Sequence, residues 1–595
     1  MPIARSLPSL RVLAALLPMA ALAACATDGT SPTTRPTPTA SAAPAPSRPS
    51  VAPDEATTYG LFLAGREAMA QGAAGDAAAY FGAAAQSGGG GPGDGGAGLI
   101  SERAFFAALM AGDVRKAATL APAAGDANAD PEKARLGALV RGVEALAEDN
   151  GKQALAILKG PEVGYPHKAA ASLVIPWAAA AAGDVDGSVI HTVLPGDPID
   201  QFYANLSQAR LFERAKRYDE AETHYKALIA AGDPGAMASQ SYGAMLERRK
   251  RAADAVAVYQ AALNRFPDSA DLQDALARAK AHKSPPPMLS IKEGASEALI
   301  APAAALMVQH QSEYALAYLH LALRLNPGQD EAWMLAGDCL NAMGDSDGAR
   351  EAYARLKPGS DRYITARNKM AWTYQNGDDH AGALKLARET LSASPENQEA
   401  AVNLADLLRA NEQYEDSAKI LDKVIAAQGD HVDWRLLYAR AASLEEAGHW
   451  QDAERDLQTA LKQRPDEPEL LNFLAYSWID RGERLQEALG MVQKAVDANP
   501  QSGAMLDSLG WAYFRLGDFK TAVAKLEDAV VLEPADPDVN NHLGDAYWRV
   551  GRKTEADYQW RRVLILQPSA KLKAEVETKL KSGLDGVGPA AVASQ

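Results

Sequence analysis

The chain is poor in several things that common protein classes need. It has two cysteines in 595 residues, Cys25 and Cys339, which excludes a disulfide framework and a thiolate zinc site. Aromatic residues make up 6% of it and phenylalanine only 10 positions, less aromatic volume than a large compact core normally uses. It lacks a basic excess: 60 Lys and Arg face 76 Asp and Glu, a net charge of −16, the wrong sign for a binder of nucleic-acid phosphates. It also lacks long apolar runs. The longest, Val12 to Ala24, is too short to span a bilayer as a mature helix, and the mean hydropathy of −0.22 excludes a multi-spanning membrane protein.

What is abundant is alanine, a small residue suited to close helix packing repeated many times. The N-terminus comes first. Arg5 and Arg11 precede the apolar run, which stops at Leu22-Ala23-Ala24-Cys25. This resembles the bacterial lipobox, where signal peptidase II cuts before a cysteine whose thiol carries diacylglycerol. The resemblance implies a signal peptide over 1–24, lipidation of Cys25 and, with Ala26 rather than Asp at the next position, an outer-membrane address facing the periplasm. Several acyl chains at about 0.8 kcal/mol per buried CH₂ make such an anchor lasting. Residues 25–57 continue as a Pro/Ala/Ser/Thr-rich tether, too poor in large apolar side chains to offset the entropy of ordering.

The rest repeats. An alanine after a turn, Gly-containing in six of the eight copies, recurs at Ala315, Ala349, Ala383, Ala418, Ala453, Ala488, Ala522 and Ala556, at intervals of 34 or 35. Proline recurs at Pro465, Pro500, Pro534 and Pro568, and the turn glycine at Gly448, Gly482, Gly517 and Gly551. Trp333-x₂-Ala336-Gly337-x₂-Leu340, Leu506-x₂-Leu509-Gly510-x₂-Tyr513 and Leu543-Gly544-x₂-Tyr547 complete the motif. This pattern resembles the tetratricopeptide repeat (TPR). It implies an all-α solenoid, a superhelix of about 13–14 helical hairpins. Gly337, Gly510 and Gly544 should let paired helices approach. Upstream the markers weaken, but Gly75-Asp76, Gly112-Asp113 and Gly183-Asp184 look like the same turn as Gly344-Asp345 and Gly517-Asp518. The expected organisation is degenerate repeats over 58–282 (interrupted by a flexible Gly-rich loop at 87–98), a Pro-rich break at 283–296, a C-terminal array over 297–569, a capping helix at 570–582 and a disordered tail at 583–595. The break is taken as the main domain boundary, because Pro285, Pro286 and Pro287 cannot be helical.

The chain carries neither a phosphate-loop nor an HExxH motif, and its ten histidines form no i, i+4 pair of the zincin type. No enzyme, metal or cofactor is expected. Cys339 sits where a small apolar residue belongs and is expected to be a buried thiol. The candidate site is the groove-facing side of the first helix in each C-terminal hairpin. Asn472, Asp507 and Asn541 fall on one line, Tyr476, Trp511 and Asp545 on the next, and Arg515 and Arg549 follow. Asn and Asp can hold the backbone of an extended peptide, and aromatic and Arg side chains are frequent anchors. The arrangement resembles the carboxylate clamp of chaperone-binding TPR domains but has Asp507 where that clamp has Asn, and no Lys pair.

Residues 471–488, 506–517 and 542–551 resemble a family of large proteobacterial TPR lipoproteins, whose members tether and activate a periplasmic carboxyl-terminal processing protease that degrades cell-wall hydrolases. The resemblance implies a scaffold or adaptor at the outer membrane whose partners are periplasmic proteins, with no nucleic acid and with membrane contact through the lipid alone. The alternative is an accessory factor in envelope assembly or in polysaccharide or protein export.

Overall fold

A computed structural model describes residues 57–87, 95–123, 129–190, 198–267, 269–429 and 432–584. The expected signal peptide, Cys25, nearly all of the tether, most of the Gly-rich loop and the end of the tail lie outside them. Among the described residues every regular element is helical. The local reasons are the ones the sequence announces. Asp113, Asp184, Asp345 and Asp518 each accept a backbone N–H in the first turn of the following helix. Gly344 and Gly517 precede two of these caps with φ of +85° and +86°, the left-handed conformation that ends the previous helix. Pro468 and Pro537 open helices, where their missing N–H costs nothing. One turn differs from expectation. Gly75 lies inside the helix Ala74–Ser87, and Gly72, at φ +75°, makes the turn.

The chain forms two compact units, divided between Ala383 and Leu384 inside the helix His380–Ala393. In the first unit, consecutive helices pair as antiparallel hairpins from Thr58–Ala70 with Ala74–Ser87 to Asp330–Ala342 with Ser346–Tyr353. In the second unit they pair from Gln398–Ala410 with Tyr414–Gln428 to Pro537–Arg549 with Lys553–Ile565, and Ala570–Ser582 closes the stack. The close approaches are real: a Cβ on Gly337 would come within 2.4 Å of the Tyr353 ring, one on Gly510 within 2.6 Å of Leu526, and one on Gly544 within 2.5 Å of the Trp560 indole.

The Pro-rich segment does not divide the chain as expected. Residues 283–290 are free of helix, but Ser290 and Glu293 then form a capping box that starts the helix Ile291–Glu297. The segment is a connector inside the first unit, and the helices after it return onto helices far upstream. Arg324 makes a two-pronged ion pair with Glu144 at 2.8 and 2.9 Å, and the His320 imidazole bonds the Leu109 carbonyl at 2.8 Å. Tyr318 meets His167 at 2.7 Å, and Gly294 abuts the Trp177 ring so closely that a Cβ would lie 2.2 Å from it. One apolar core accordingly runs from Ala68 to Cys339. Cys339 is fully buried, and burial pushes its thiol up to about 12.

Candidate functional site

The second unit places three of its first helices, Pro468–Arg481, Gly503–Arg515 and Pro537–Arg549, side by side, so that equivalent positions fall in rows as the repeat requires. Their environments differ sharply. Asp507, Asn541 and Asp545 are 1%, 5% and 4% exposed. These three do not face an open groove, and the reason is that other side chains of the unit already occupy their hydrogen-bonding capacity. His542 sets its Nδ1 2.9 and 3.0 Å from the two Asp507 oxygens. Lys579, from the closing helix Ala570–Ser582, donates to Asn541 Oδ1 at 2.9 Å and to Asp545 Oδ2 at 2.8 Å. The other Asp545 oxygen accepts the Trp560 indole N–H at 3.0 Å.

The remaining candidates lie nearer solvent. Asn472, Tyr476, Trp511 and Arg515 are half-buried and Arg549 is exposed. Trp511 stacks between Phe514 and His542, with ring centroids 4.6 and 4.2 Å away. Arg515 donates to the Asp480 carbonyl of the preceding hairpin at 2.8 Å, and the Arg549 guanidinium lies 5.9 Å from the centre of the Phe519 ring. The Asn472 carbonyl oxygen and the Trp511 indole N–H are both buried and have no hydrogen-bond partner.

Electrostatics sharpen the picture. Burial alone would discharge His542, but the Asp507 charge and hydrogen bond outweigh it and push the imidazole up to about 9. Burial likewise opposes the Lys579 ammonium, but Asp545 and Glu575 hold it above the usual lysine range. Burial pushes Asp538 up to about 7 against the pull of His542, and Glu445 up to about 7 against that of Arg481. His542, Lys579, Glu445, Asp538 and Glu575 were not singled out by the sequence reading. A signal for His542 was present: it adjoins Asn541 and stands 35 residues after Asp507, one repeat on. Lys579 gave none, because on the closing helix alone it reads as part of the polar face.

The repeated hairpins define an all-helical repeat solenoid. Comparison with known families says which: residues 206–270, 303–363, 377–441 and 438–503 match tetratricopeptide-repeat profiles, and 510–551 a TPR-repeat profile. The fold is a TPR solenoid, and its repeats mark the chain as a protein–protein interaction scaffold. Its relatives include a TPR repeat-containing protein of Pseudomonas aeruginosa, 29% identical over 221 residues; the alignment covers 36% of each chain. Similar solved structures include the Cut9–Hcn1 hetero-tetramer of the APC/C (TM-score 0.37, 15% identity, 82% of this chain and 96% of that one). Yeast Tom70 follows (0.34, 15%, 76% and 96%), and a tetratricopeptide repeat protein from Parabacteroides merdae (0.31, 17%, 48% and 97%).

Proposed function

We propose that the second unit holds an extended, positively charged segment of partner proteins along the half-buried face of its first helices. The observation that carries this is the pair of orphaned polar atoms, Asn472 Oδ1 and Trp511 Nε1, an acceptor and a donor on neighbouring helices. An extended peptide backbone offers N–H and C=O groups in alternation and can satisfy both. Glu445 and Asp538, once ionised, favour a cationic partner, as does the net charge of −16.

The lipobox-like run ending at Cys25 supports attachment to the periplasmic side of the outer membrane. The likeness of 471–551 to protease-adaptor lipoproteins supports a scaffold that brings a carboxyl-terminal processing protease to its cell-wall hydrolase substrates, without chemistry of its own. The test is a pull-down from solubilised envelopes, read by mass spectrometry, with the parent chain and with Glu445→Gln/Asp538→Asn. Recovery of the main partner is expected to fall at least threefold in the double variant and to rise from pH 6 to pH 8 in the parent, as the two carboxyls ionise. At pH 6, where both carboxyls are mostly neutral, the variant should melt no lower than the parent. Equal recovery from the two chains excludes this face as the binding site.

A further inference from the structure

The first unit contains a cavity of about 210 Å³. It is bounded by the helices Pro198–Arg214, Tyr218–Ala231 and Met237–Arg248 and by the extended segment 286–289, with Trp177 of Lys168–Ala182 also lining it. Trp177 and Tyr225 are 1% and 0% exposed, and both end in a donor, the indole N–H and the phenol O–H, that has no hydrogen-bond partner. Three guanidiniums line the same space. Arg248 grips Glu213 with two bonds of 2.8 and 2.9 Å and also donates to the Pro286 carbonyl at 2.8 Å. Arg210 pairs with Glu297 and with the Ser241 hydroxyl. Arg214 donates to the Leu289 carbonyl and, among the described residues, has no carboxylate partner. Two carboxylates therefore answer three cations. Ala244, Pro286, Pro287, Met288 and Leu289 add a mostly apolar stretch to the lining.

We propose that this cavity binds a small organic monocarboxylate. A ligand fitting it must bring negative charge for Arg214, acceptor oxygens for two buried donors, and an apolar body for the Pro-rich wall. A carboxylate supplies two acceptor oxygens in the plane that guanidinium groups recognise. Water supplies no charge, and inorganic phosphate has no apolar body. The volume falls below the roughly 300–1,000 Å³ of sites for drug-sized ligands, which favours a short-chain acid over a peptide. Backbone carbonyls of 286 and 289 are fixed by Arg248 and Arg214, so the wall is held in place before a ligand arrives. This inference is independent of the partner-binding reading, which concerns the other unit.

Isothermal titration of the full chain tests it, with hexanoate as probe, and hexanamide, inorganic phosphate and an acetylated penta-alanine with a free carboxylate as comparisons. Hexanoate should bind at one saturable site, and each comparison at least tenfold more weakly. Arg214→Gln should weaken hexanoate at least tenfold. Tyr225→Phe removes an unpartnered hydroxyl, so it should weaken hexanoate at least threefold without lowering the melting temperature; this variant decides the matter if Arg214→Gln does not fold. Absence of saturable hexanoate binding overturns the proposal, as does hexanamide binding equally well or Tyr225→Phe binding like the parent. Phosphate binding as tightly would make the cavity a plain anion site, and the peptide binding as tightly would make its ligand a protein tail. Either result overturns the assignment to a small acid.

Discussion

Gly510 shows at the level of one residue why this sequence tolerates so little change at its repeat positions. Its missing side chain is the space into which Leu526 fits, and an added methyl would sit 2.6 Å from Leu526 Cγ and 3.2 Å from the Leu526 backbone nitrogen. The backbone atom cannot step aside as a rotamer can. Gly510→Ala should cost about 1–3 kcal/mol of stability, visible as a lower thermal midpoint. Titratable residues give a second residue-scale expectation. Asp538 and Glu445 move from about 4 in an unfolded chain to about 7 in the fold, so the fold holds protons that the unfolded chain releases. Their stabilisation is full below pH 4 and fades as the pH rises through 7. His542 moves from 6.5 to about 9, so its contribution is full below 6.5 and is lost as the pH rises through 9. All three act in one direction, and the second unit should melt several degrees higher at pH 6 than at pH 9.5. A kcal/mol corresponds to about 2–4 °C in a domain of this size. His542→Gln should flatten the part of that slope between pH 7 and 9; an unchanged slope would show that the Asp507–His542 pair does not set it.

At the scale of the element, the hairpins were legible because their markers are local. The 34-residue period, the close-approach glycines and the Asp caps each act within one or two helices. Part of the turn signal is lost where the left-handed position is filled by another residue, upstream by Asp149, Lys216 and Lys250, with φ of +60°, +62° and +63°, and downstream by Glu412, with φ of +58°. The geometry persists where its favoured residue does not, and a reading keyed to glycine loses it. Among the candidate positions Asp507, Asn541 and Asp545 are closed off, because what covers them comes from other helices. The helix Ala570–Ser582 lies over the stretch where a capping helix is expected, with Leu572 and Val576 buried. Its polar residue Lys579, however, is 2% exposed and is the partner of Asn541 and Asp545. Lys579→Met keeps the length and removes the charge, leaving the Asp545 carboxylate buried without its cation. The expected cost is about 3–5 kcal/mol. If the charge is the cause, adding Asp545→Leu should recover much of the loss; a double variant no more stable than the single one would assign the cost to packing of the closing helix instead.

At the scale of the whole molecule the departure from a simple repeat array is largest in the first unit. In an ideal solenoid each repeat touches only its neighbours, stability is close to a sum of local terms, and truncation at a repeat boundary leaves a folded remainder. The sequence, read hairpin by hairpin, places such a boundary at 283–296. The contacts of the unit cross it. Arg324 pairs with Glu144 over 180 residues and His320 with Leu109 over 211, while Lys292 donates to the Ala147 carbonyl over 145. Periodicity cannot reveal such pairings, because it records what each helix shares with the next and nothing of which distant helix it returns to. The consequence is measurable. A fragment of residues 57–282 loses the helices Ile291–Glu297 and Ser312–Leu325, uncovers the Trp177 face that Gly294 abuts, and strands buried His167 without Tyr318. It should retain much of its helical signal yet melt broadly and bind a hydrophobic dye, whereas residues 57–379 should melt in one sharp transition. A 57–282 fragment that melts as sharply as the longer one, with no dye binding, would restore the Pro-rich segment as a domain boundary and reduce the returning helices to an accessory layer.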